Sequence, residues 1–302
     1  MHEIIQKLIP ILKGEFLTNV PLRNYTTFHI GGPAEILIFP YDTEDLKRVI
    51  ILLNDNNLKF KVIGNGSNLL VMDEGFHGIF ICLKKHFNSM SINEENMEVE
   101  AGVMLPLLAK KAFEEELSGL EFAVGIPGTI GGAVYNNAGA FGQSMGNIVS
   151  EIEIVKIDGE IKKISASELV FLYRKCKIPV SGIITKIKLA LKREPSSSIL
   201  KKMRENVESR NKTQPADFAS AGSIFKNPEG DSAGRIIEHL GLKGKTCGNA
   251  QISQKHANFI INTGGARAND VLELIELIKK TVYEKMGIKL DMEIEIIGNG
   301  KI

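Results

Sequence analysis

The chain has 302 residues, 43% hydrophobic and 24% charged, with 37 Lys and Arg against 36 Asp and Glu for a formal charge of +1. That composition is ordinary for a soluble globular protein, and a near-neutral chain has no global field for a polyanion, which argues against a nucleic-acid partner. The length suits two domains around a sizeable core.

Ile4, Ile5, Leu8, Ile11 and Leu12 recur at helical spacing, which predicts an amphipathic helix at the start of the chain. Glu3, Gln6 and Lys7 stand among its apolar residues, so it has no uninterrupted secretory h-region. No run approaches about 18 apolar residues, so no membrane insertion is expected. A short apolar run follows at Glu35–Phe39, then a helix with Leu46, Val49, Ile50 and Leu53 on one face and Thr43 as its cap. Phe60–Ile63, Leu69–Met72, Ile79–Leu83 and Met97–Ala101 read as strands, and Leu105–Leu117 as a helix. Ile152–Ile157 and Ile161–Ile164 flank Asp158-Gly159, a hairpin signal. Ser167–Tyr173 reads as a short helix closed by Tyr173-Arg174, and Ile183–Leu191 as a long strand. Glu194-Pro195-Ser196-Ser197-Ser198 is punctuation and marks a domain boundary. Beyond it come helices at Ile199–Lys212 and Ala233–Leu240, the latter stopped by Gly241, and strands near 249–252 and 258–262. Asn269 or Asp270 caps a long helix carrying Val271, Leu274, Ile275, Ile278 and Val282, and Ile288–Ile297 ends the chain as a strand.

Several segments carry chemistry. Gly64-Asn65-Gly66-Ser67-Asn68 follows a strand and suits either a tight turn or a phosphate cradle. It is not a Rossmann fingerprint, because Leu69 opens another strand-like run where a third Gly and a helix are required. The stretch 125–146 holds Gly125, Gly128, Gly131, Gly132, Gly139, Gly142 and Gly146, and no Walker A lysine. So much glycine costs chain entropy, and close backbone approach to a large flat ligand explains it better than a bare turn. Two such loops suit a dinucleotide. Arg174 reads as either a solvated cation or a site residue, and Ser223 as either a cap or a reactive hydroxyl without a nucleophile elbow. Glu293 and Glu295 alternate with apolar residues and fit an exposed sheet face. Cys82, Cys176 and Cys247 form no C-x-x-C and the six His no metal spacing, so neither a disulfide framework nor a metal is expected.

Taken in order, Thr26-Thr27-Phe28-His29-Ile30-Gly31-Gly32, Gly64–Asn68, Gly125-Ile126-Pro127-Gly128 through Asn137-Ala138-Gly139-Ala140, Tyr173-Arg174, Gly222-Ser223-Ile224-Phe225-Lys226-Asn227-Pro228 and Lys255-His256-Ala257 resemble the UDP-N-acetylenolpyruvoylglucosamine reductase family (UDP-N-acetylmuramate dehydrogenases). The resemblance runs from about Asn24 to Gly298, and the short passage from Arg174 to residue 183 is similar to the branch lacking an extra substrate-capping loop. It implies an α+β chain: a two-subdomain FAD-binding region of the PCMH/vanillyl-alcohol-oxidase type, then a C-terminal α+β substrate domain. The boundaries it implies are a leading helix at 1–15, FAD-binding subdomains at 16–84 and 85–194, and a substrate domain at 195–302.

The implied reaction uses NADPH and non-covalent FAD to reduce the enolpyruvyl ether of UDP-N-acetylglucosamine, a cytoplasmic step of peptidoglycan precursor synthesis that needs no obligatory protein partner. Hydride passes from flavin N5 to C3, and C2 is protonated. The family's catalytic positions fall on Arg174, Ser223 and Glu293: a cation for the charge at C2, an acid for C2, and a carboxyl beside the substrate carboxylate. The implied cofactor residues are Gly64, Asn65, Gly66, Ser67, Asn68, Gly125, Ile126, Pro127, Gly128, Gly131, Gly132, Asn137, Ala138 and Gly139. Tyr173, Lys226, Asn227, Lys255 and Lys212 are the implied substrate contacts, with no metal. The chain departs from the family pattern at Thr213, where Lys is frequent, and at Tyr25 and His29. Two alternatives stand beside this reading: a flavin oxidase of the same superfamily, which often attaches FAD through His or Cys, and a non-catalytic flavin or nucleotide-sugar module.

Overall fold

Buried apolar side chains gather into two separate cores, one built on Leu46, Ile50, Val99, Leu108, Ile152 and Ile187, the other on Phe28, Leu70, Ile224, Phe225, Val271 and Ile275. In this computed structural model, which describes residues 2–298, each core belongs to one of two units; Met1 and residues 299–302, the outer ends of the expected 1–15 and 195–302 segments, lie outside the described residues. The first unit comprises residues up to Thr18, Glu35–Asn65 and Gly78–Glu208; the second comprises Asn19–Ala34, Gly66–His77 and residues from Ser209 on.

The first unit is organised by an antiparallel five-stranded sheet. Its strands run in the order Ile161–Ser165, Val149–Lys156, Gly182–Ala190, Asn96–Glu100 and Met90–Asn93. Cross-strand register places Ile164, Ile152, Ile187, Val99 and Met90 in one lateral row, so alternation along each strand becomes an apolar stripe across the sheet. A second, four-stranded sheet orders Glu15–Pro21, Pro33–Phe39, Phe76–Cys82 and Phe60–Ile63, with the last pair parallel. The helix Thr43–Asp55 buries Leu46, Val49, Ile50 and Leu53, and Leu105–Glu114 buries Leu105, Leu108, Ala109 and Ala112.

The second unit is smaller. The long helix Ala268–Met286 turns Val271, Leu274, Ile275, Ile278 and Val282 into its core, beside an antiparallel sheet of Thr246–Cys247, Ala250–Ile252 and Ile260–Asn262. The strand Glu295–Ile297 pairs in parallel with Leu69–Val71, the strand that follows Gly64–Asn68.

Four local expectations are corrected. Ser167–Tyr173 is not a helix: a single 3-10 turn at Ala166–Glu168 leads into the strand Val170–Leu172, which pairs with Lys175–Lys177. Ser165 N–H donates to the Glu168 carboxylate across that turn (3.1 Å), a capping signal that ends after one turn because Val170 and Phe171 favour extended backbone. The helix from Leu105 stops at Glu114 because Glu116 takes φ +56°. Asp42, not Thr43, caps the helix Thr43–Asp55, accepting from Asp45 N–H at 2.7 Å. Of the expected strand Ile288–Ile297, only Glu295–Ile297 is regular, Met292 making one isolated bridge to Phe225.

Asp45 is fully buried, and its carboxylate accepts from the backbone N–H of Lys13, Gly14 and Tyr41 at 2.9 Å each and from Arg48 at 2.8 Å. Replacing it leaves several donors unpaired at once. Asp45→Ala should therefore cost about 3–5 kcal/mol in urea unfolding, whereas the exposed pair Lys280–Glu284 should contribute under about 1 kcal/mol.

In the second unit His256 lies edge-on to Phe259 (4.9 Å between centroids), accepts from Asn258 N–H at Nδ1 (3.2 Å) and packs against Gly234. Burial, aided by the Lys243 ammonium and opposed by Glu238, holds its pKa below the ordinary 6.5. A depressed folded-state value means that the unfolded chain binds the proton more readily. Stability is then full above about 6.5 and is lost as pH falls toward the folded value. The wild-type melting temperature should fall on going from neutral pH to about 5.5, and His256→Gln should flatten part of that slope.

Candidate functional site

In the first unit the loop from Gly125 is bound to the neighbouring backbone before its short helix Ile130–Tyr135 begins. Leu105 N–H donates to Gly128 O (2.9 Å), Ile130 N–H to Val103 O (2.8 Å) and Gly131 N–H to Ala101 O (2.9 Å). Asn65 ties this loop to the other one. Its Nδ2 donates to Pro127 O at 2.7 Å, while its Oδ1 accepts from Lys84 Nζ at 2.6 Å. Gly64 is required here: an added Cβ would lie 2.2 Å from Thr129 Oγ1. Neither Lys84, which stands outside every motif, nor Thr129, which stands within the second glycine-rich loop, was singled out in the sequence.

The glycines of 125–146 have a cause besides a ligand. A Cβ at Gly131 would meet Ala101 at 2.8 Å, at Gly139 the Gln143 carbonyl at 2.5 Å, and at Gly146 the Phe171 ring at 2.7 Å. Protein packing accounts for these three. Gly142 (φ +77°) meets nothing within 4 Å, and Gly132 only Thr129 Oγ1 at 3.6 Å, so backbone there stays open.

Tyr173 and Arg174 form the two-residue tip of the hairpin Val170–Leu172/Lys175–Lys177. Arg174 takes φ +56°, a left-handed conformation uncommon for a long side chain. Its guanidinium donates to Gly139 O (3.2 Å) and stacks over the Tyr173 ring at 5.0 Å. Buried Asn137 holds this tip with both ends of its carboxamide, Nδ2 donating to Leu172 O and Oδ1 accepting from Gly146 N–H, each at 2.9 Å. The side chain expected to face a cofactor thus also braces the arginine hairpin. Ile126 and Ala138 pack partly buried against the first core.

The second unit carries Gly66, Ser67, Asn68, Ser223 and Glu293. Gly66 takes φ +62°, and a Cβ would fall 2.3 Å from Tyr25 O. Ser223 follows Gly222 (φ +79°) and bridges to Phe259; its hydroxyl makes no hydrogen bond among the described residues. The next residue, Ile224, donates to Asn258 O and accepts from Glu293 N–H, both at 2.8 Å. The buried Asn258 side chain clamps Phe225 on both backbone groups, at 2.9 and 2.7 Å. Ser223 and Glu293 are therefore brought together by backbone. Asn258 was not singled out in the sequence, although it stands directly after Lys255-His256-Ala257.

The expected substrate residues of the second unit stand on three segments, and Lys255 reaches the residue beside Lys212. Asn227 Oδ1 accepts from Ala233 N–H (3.1 Å), Lys226 N–H donates to Asp291 O (2.8 Å), Lys255 Nζ donates to Asn211 O, and Lys212 is exposed on the helix Ser196–Thr213. Among the described residues no metal-binding group of His, Cys, Asp and Glu is found, and no helix is long and apolar enough to cross a membrane. The thiols are poor nucleophiles: burial raises Cys82 and pushes Cys176 up to about 11, while the Glu273 carboxylate that accepts its S–H pushes Cys247 up to about 11.

The donor set of the two loops fits a dinucleotide diphosphate. Gly64–Asn68 and Gly125–Gly132 contain no carboxylate, and they offer glycine backbone, hydroxyls and, at Asn65, a lysine. Comparison with known proteins agrees. Residues 34–165 match the FAD binding domain family, and residues 214–297 match the C-terminal domain of UDP-N-acetylenolpyruvoylglucosamine reductase. UDP-N-acetylenolpyruvoylglucosamine reductase of Bacillus licheniformis is 42% identical over 300 residues, covering 99% of each chain. The crystal structure of UDP-N-acetylenolpyruvylglucosamine reductase from Thermus caldophilus has a TM-score of 0.82 at 41% identity, covering 94% of this chain and 99% of that one. A berberine bridge enzyme variant, at a TM-score of 0.50 and 16% identity, covering 64% of this chain and 44% of that one, shares the fold alone, which is the PCMH/vanillyl-alcohol-oxidase type of FAD-binding region. The oxidase and binding-module alternatives are not favoured by these relatives. Identity of this order along the whole of both chains, spanning both glycine-rich loops and the segments of Arg174, Ser223 and Glu293, means that the chain belongs to the UDP-N-acetylenolpyruvoylglucosamine reductase family.

Proposed function

We infer that the chain reduces the enolpyruvyl ether of UDP-N-acetylglucosamine to UDP-N-acetylmuramate with NADPH, in the synthesis of peptidoglycan precursors. The observation that carries this reading at the level of chemistry is the pairing of Ser223, whose hydroxyl makes no hydrogen bond among the described residues, with Glu293 through Ile224. Bound FAD, once reduced by NADPH, supplies the hydride that C3 of the enolpyruvyl group receives. The backbone of Gly64–Asn68 and Gly125–Gly132, with Ala138 and Gly139, would hold that cofactor. We place its region at 16–84 and 85–194 and the substrate domain at 195–302. A cytoplasmic location fits a soluble nucleotide-sugar substrate and NADPH.

The chain's own groups handle charge and protons. Arg174 offsets the negative charge that builds at C2 and spreads into the carboxylate. A fixed guanidinium needs no reorganisation at that moment, and the Tyr173 stack and the Gly139 bond hold it. Ser223 Oγ delivers the proton to C2. An unperturbed hydroxyl is a weak acid, so it acts on a strongly basic carbon or is resupplied through a relay. Glu293 stands beside the substrate carboxylate, where it positions that group or shares a proton with it. Lys226, Asn227, Lys255 and Lys212, with Tyr173, are the candidates for the diphosphate and uridine.

The reaction is tested by mixing the purified protein anaerobically with NADPH and then substrate. The yellow colour should bleach and return without oxygen, and the product should be heavier than the substrate by two hydrogens. Acid precipitation should release all the colour into the supernatant; colour kept in the pellet would mean covalent FAD and would contradict the reading.

Ser223→Ala separates the half-reactions. It should bind FAD and be bleached by NADPH at a near-normal rate, while reoxidation by substrate slows by about 10²–10⁴-fold, the usual contribution of a positioned acid. Ser223→Cys should retain more activity than Ala. Equal slowing of both halves in stopped-flow absorbance would make Ser223 a structural residue.

A further inference from the structure

We propose that Asn68, placed by the sequence in a cofactor-binding loop, is a positioning residue for Glu293. The proposal rests on the reading of Glu293 as the carboxyl beside the substrate. Glu293 lies outside the regular strand, which begins at Glu295. No ladder therefore fixes it, and its backbone must be held some other way. Its N–H goes to Ile224 O at 2.8 Å. Its carbonyl accepts from Asn68 Nδ2 at 3.1 Å, and two residues further on Glu295 N–H donates to Asn68 O at 2.9 Å.

Asn68 thus grips the chain on both sides of Ile294. From Leu69 the pairing is an ordinary parallel ladder, Leu69 with Glu295, Leu70 with Ile296 and Val71 with Ile297. The Asn68 carboxamide carries the grip one step beyond the ladder, to the catalytic position. The residue type follows from the geometry. The bond needs a short arm ending in an N–H donor; Asp accepts only, and Ser carries its donor nearer the backbone. The turn that aims the arm is fixed by Gly66, whose positive φ and closeness to Tyr25 O exclude a side chain. Nδ2 spent on Glu293 gives this side chain a task apart from phosphate.

A carboxyl displaced by about 1 Å can cost about 10²-fold in rate. Asn68→Leu and Asn68→Asp keep the approximate size and remove the donor. With FAD at saturation, both should slow reoxidation by substrate about 10–100-fold, and slow it more than they slow bleaching by NADPH. Asn68→Gln, which keeps the donor on a longer arm, should recover part of the loss.

The deciding measurement is a cycle with Glu293→Ala. If Asn68 acts through Glu293, the double variant should reoxidise no more slowly than Glu293→Ala alone. Multiplied losses, a normal reoxidation rate in both donor-lacking variants, or failure of both to hold FAD at saturation would each overturn the proposal. The last would leave Asn68 a cofactor residue. Normal reoxidation in Glu293→Ala itself would instead sink the underlying reading of Glu293.

Discussion

The hydrogen bond from Glu293 N–H to Ile224 O is the contact on which the arrangement of Ser223 and Glu293 in the second unit depends. Ser223 and Glu293 are far apart in sequence, and neither lies in a regular strand. Their segments are joined edge to edge by one isolated bridge with two backbone bonds, Glu293 N–H to Ile224 O and Lys226 N–H to Asp291 O, so each bond carries what a long ladder would otherwise share. Asn258 secures the outer side through three contacts with Ile224 and Phe225, all buried. Low local polarity strengthens such bonds and makes any unpaired partner expensive, which gives the arrangement one preferred geometry.

The first unit solves a different problem. Arg174 sits at a hairpin tip, yet its guanidinium is held in place. Its left-handed backbone is sustained because the surrounding structure over-determines it: the strand pairing below, Asn137 behind and Gly139 at the guanidinium. Gly146 belongs to the same device. Its missing side chain admits the Phe171 ring of the hairpin, while its N–H bonds Asn137. Glycine is thus spent on bringing protein backbone close to protein as well as on leaving it open.

Charge is distributed accordingly. The fully buried carboxylate of Asp45 serves three backbone donors and Arg48, remote in sequence from the site segments. The glycine-rich loops contain no carboxylate, so nothing anionic competes with a diphosphate.

The sequence by itself determined the periodic parts. The amphipathic faces of Thr43–Asp55 and Ala268–Met286, the hairpin around Asp158-Gly159 and the Gly241 stop follow from spacing and local backbone preference, which act within a few residues. The ordered motifs also disclosed the family and the candidate residues. Tertiary structure decided the rest. The Val170–Leu172 strand replaces a helix because its pairing partner lies across the turn, and the final strand shrinks to Glu295–Ile297 because only there does Leu69–Val71 supply a ladder. The second tasks of Asn65, Asn68 and Asn137 and the clamp at Asn258 were invisible for the same reason. A carboxamide looks alike in any loop, and its partners are fixed only when segments distant in sequence meet.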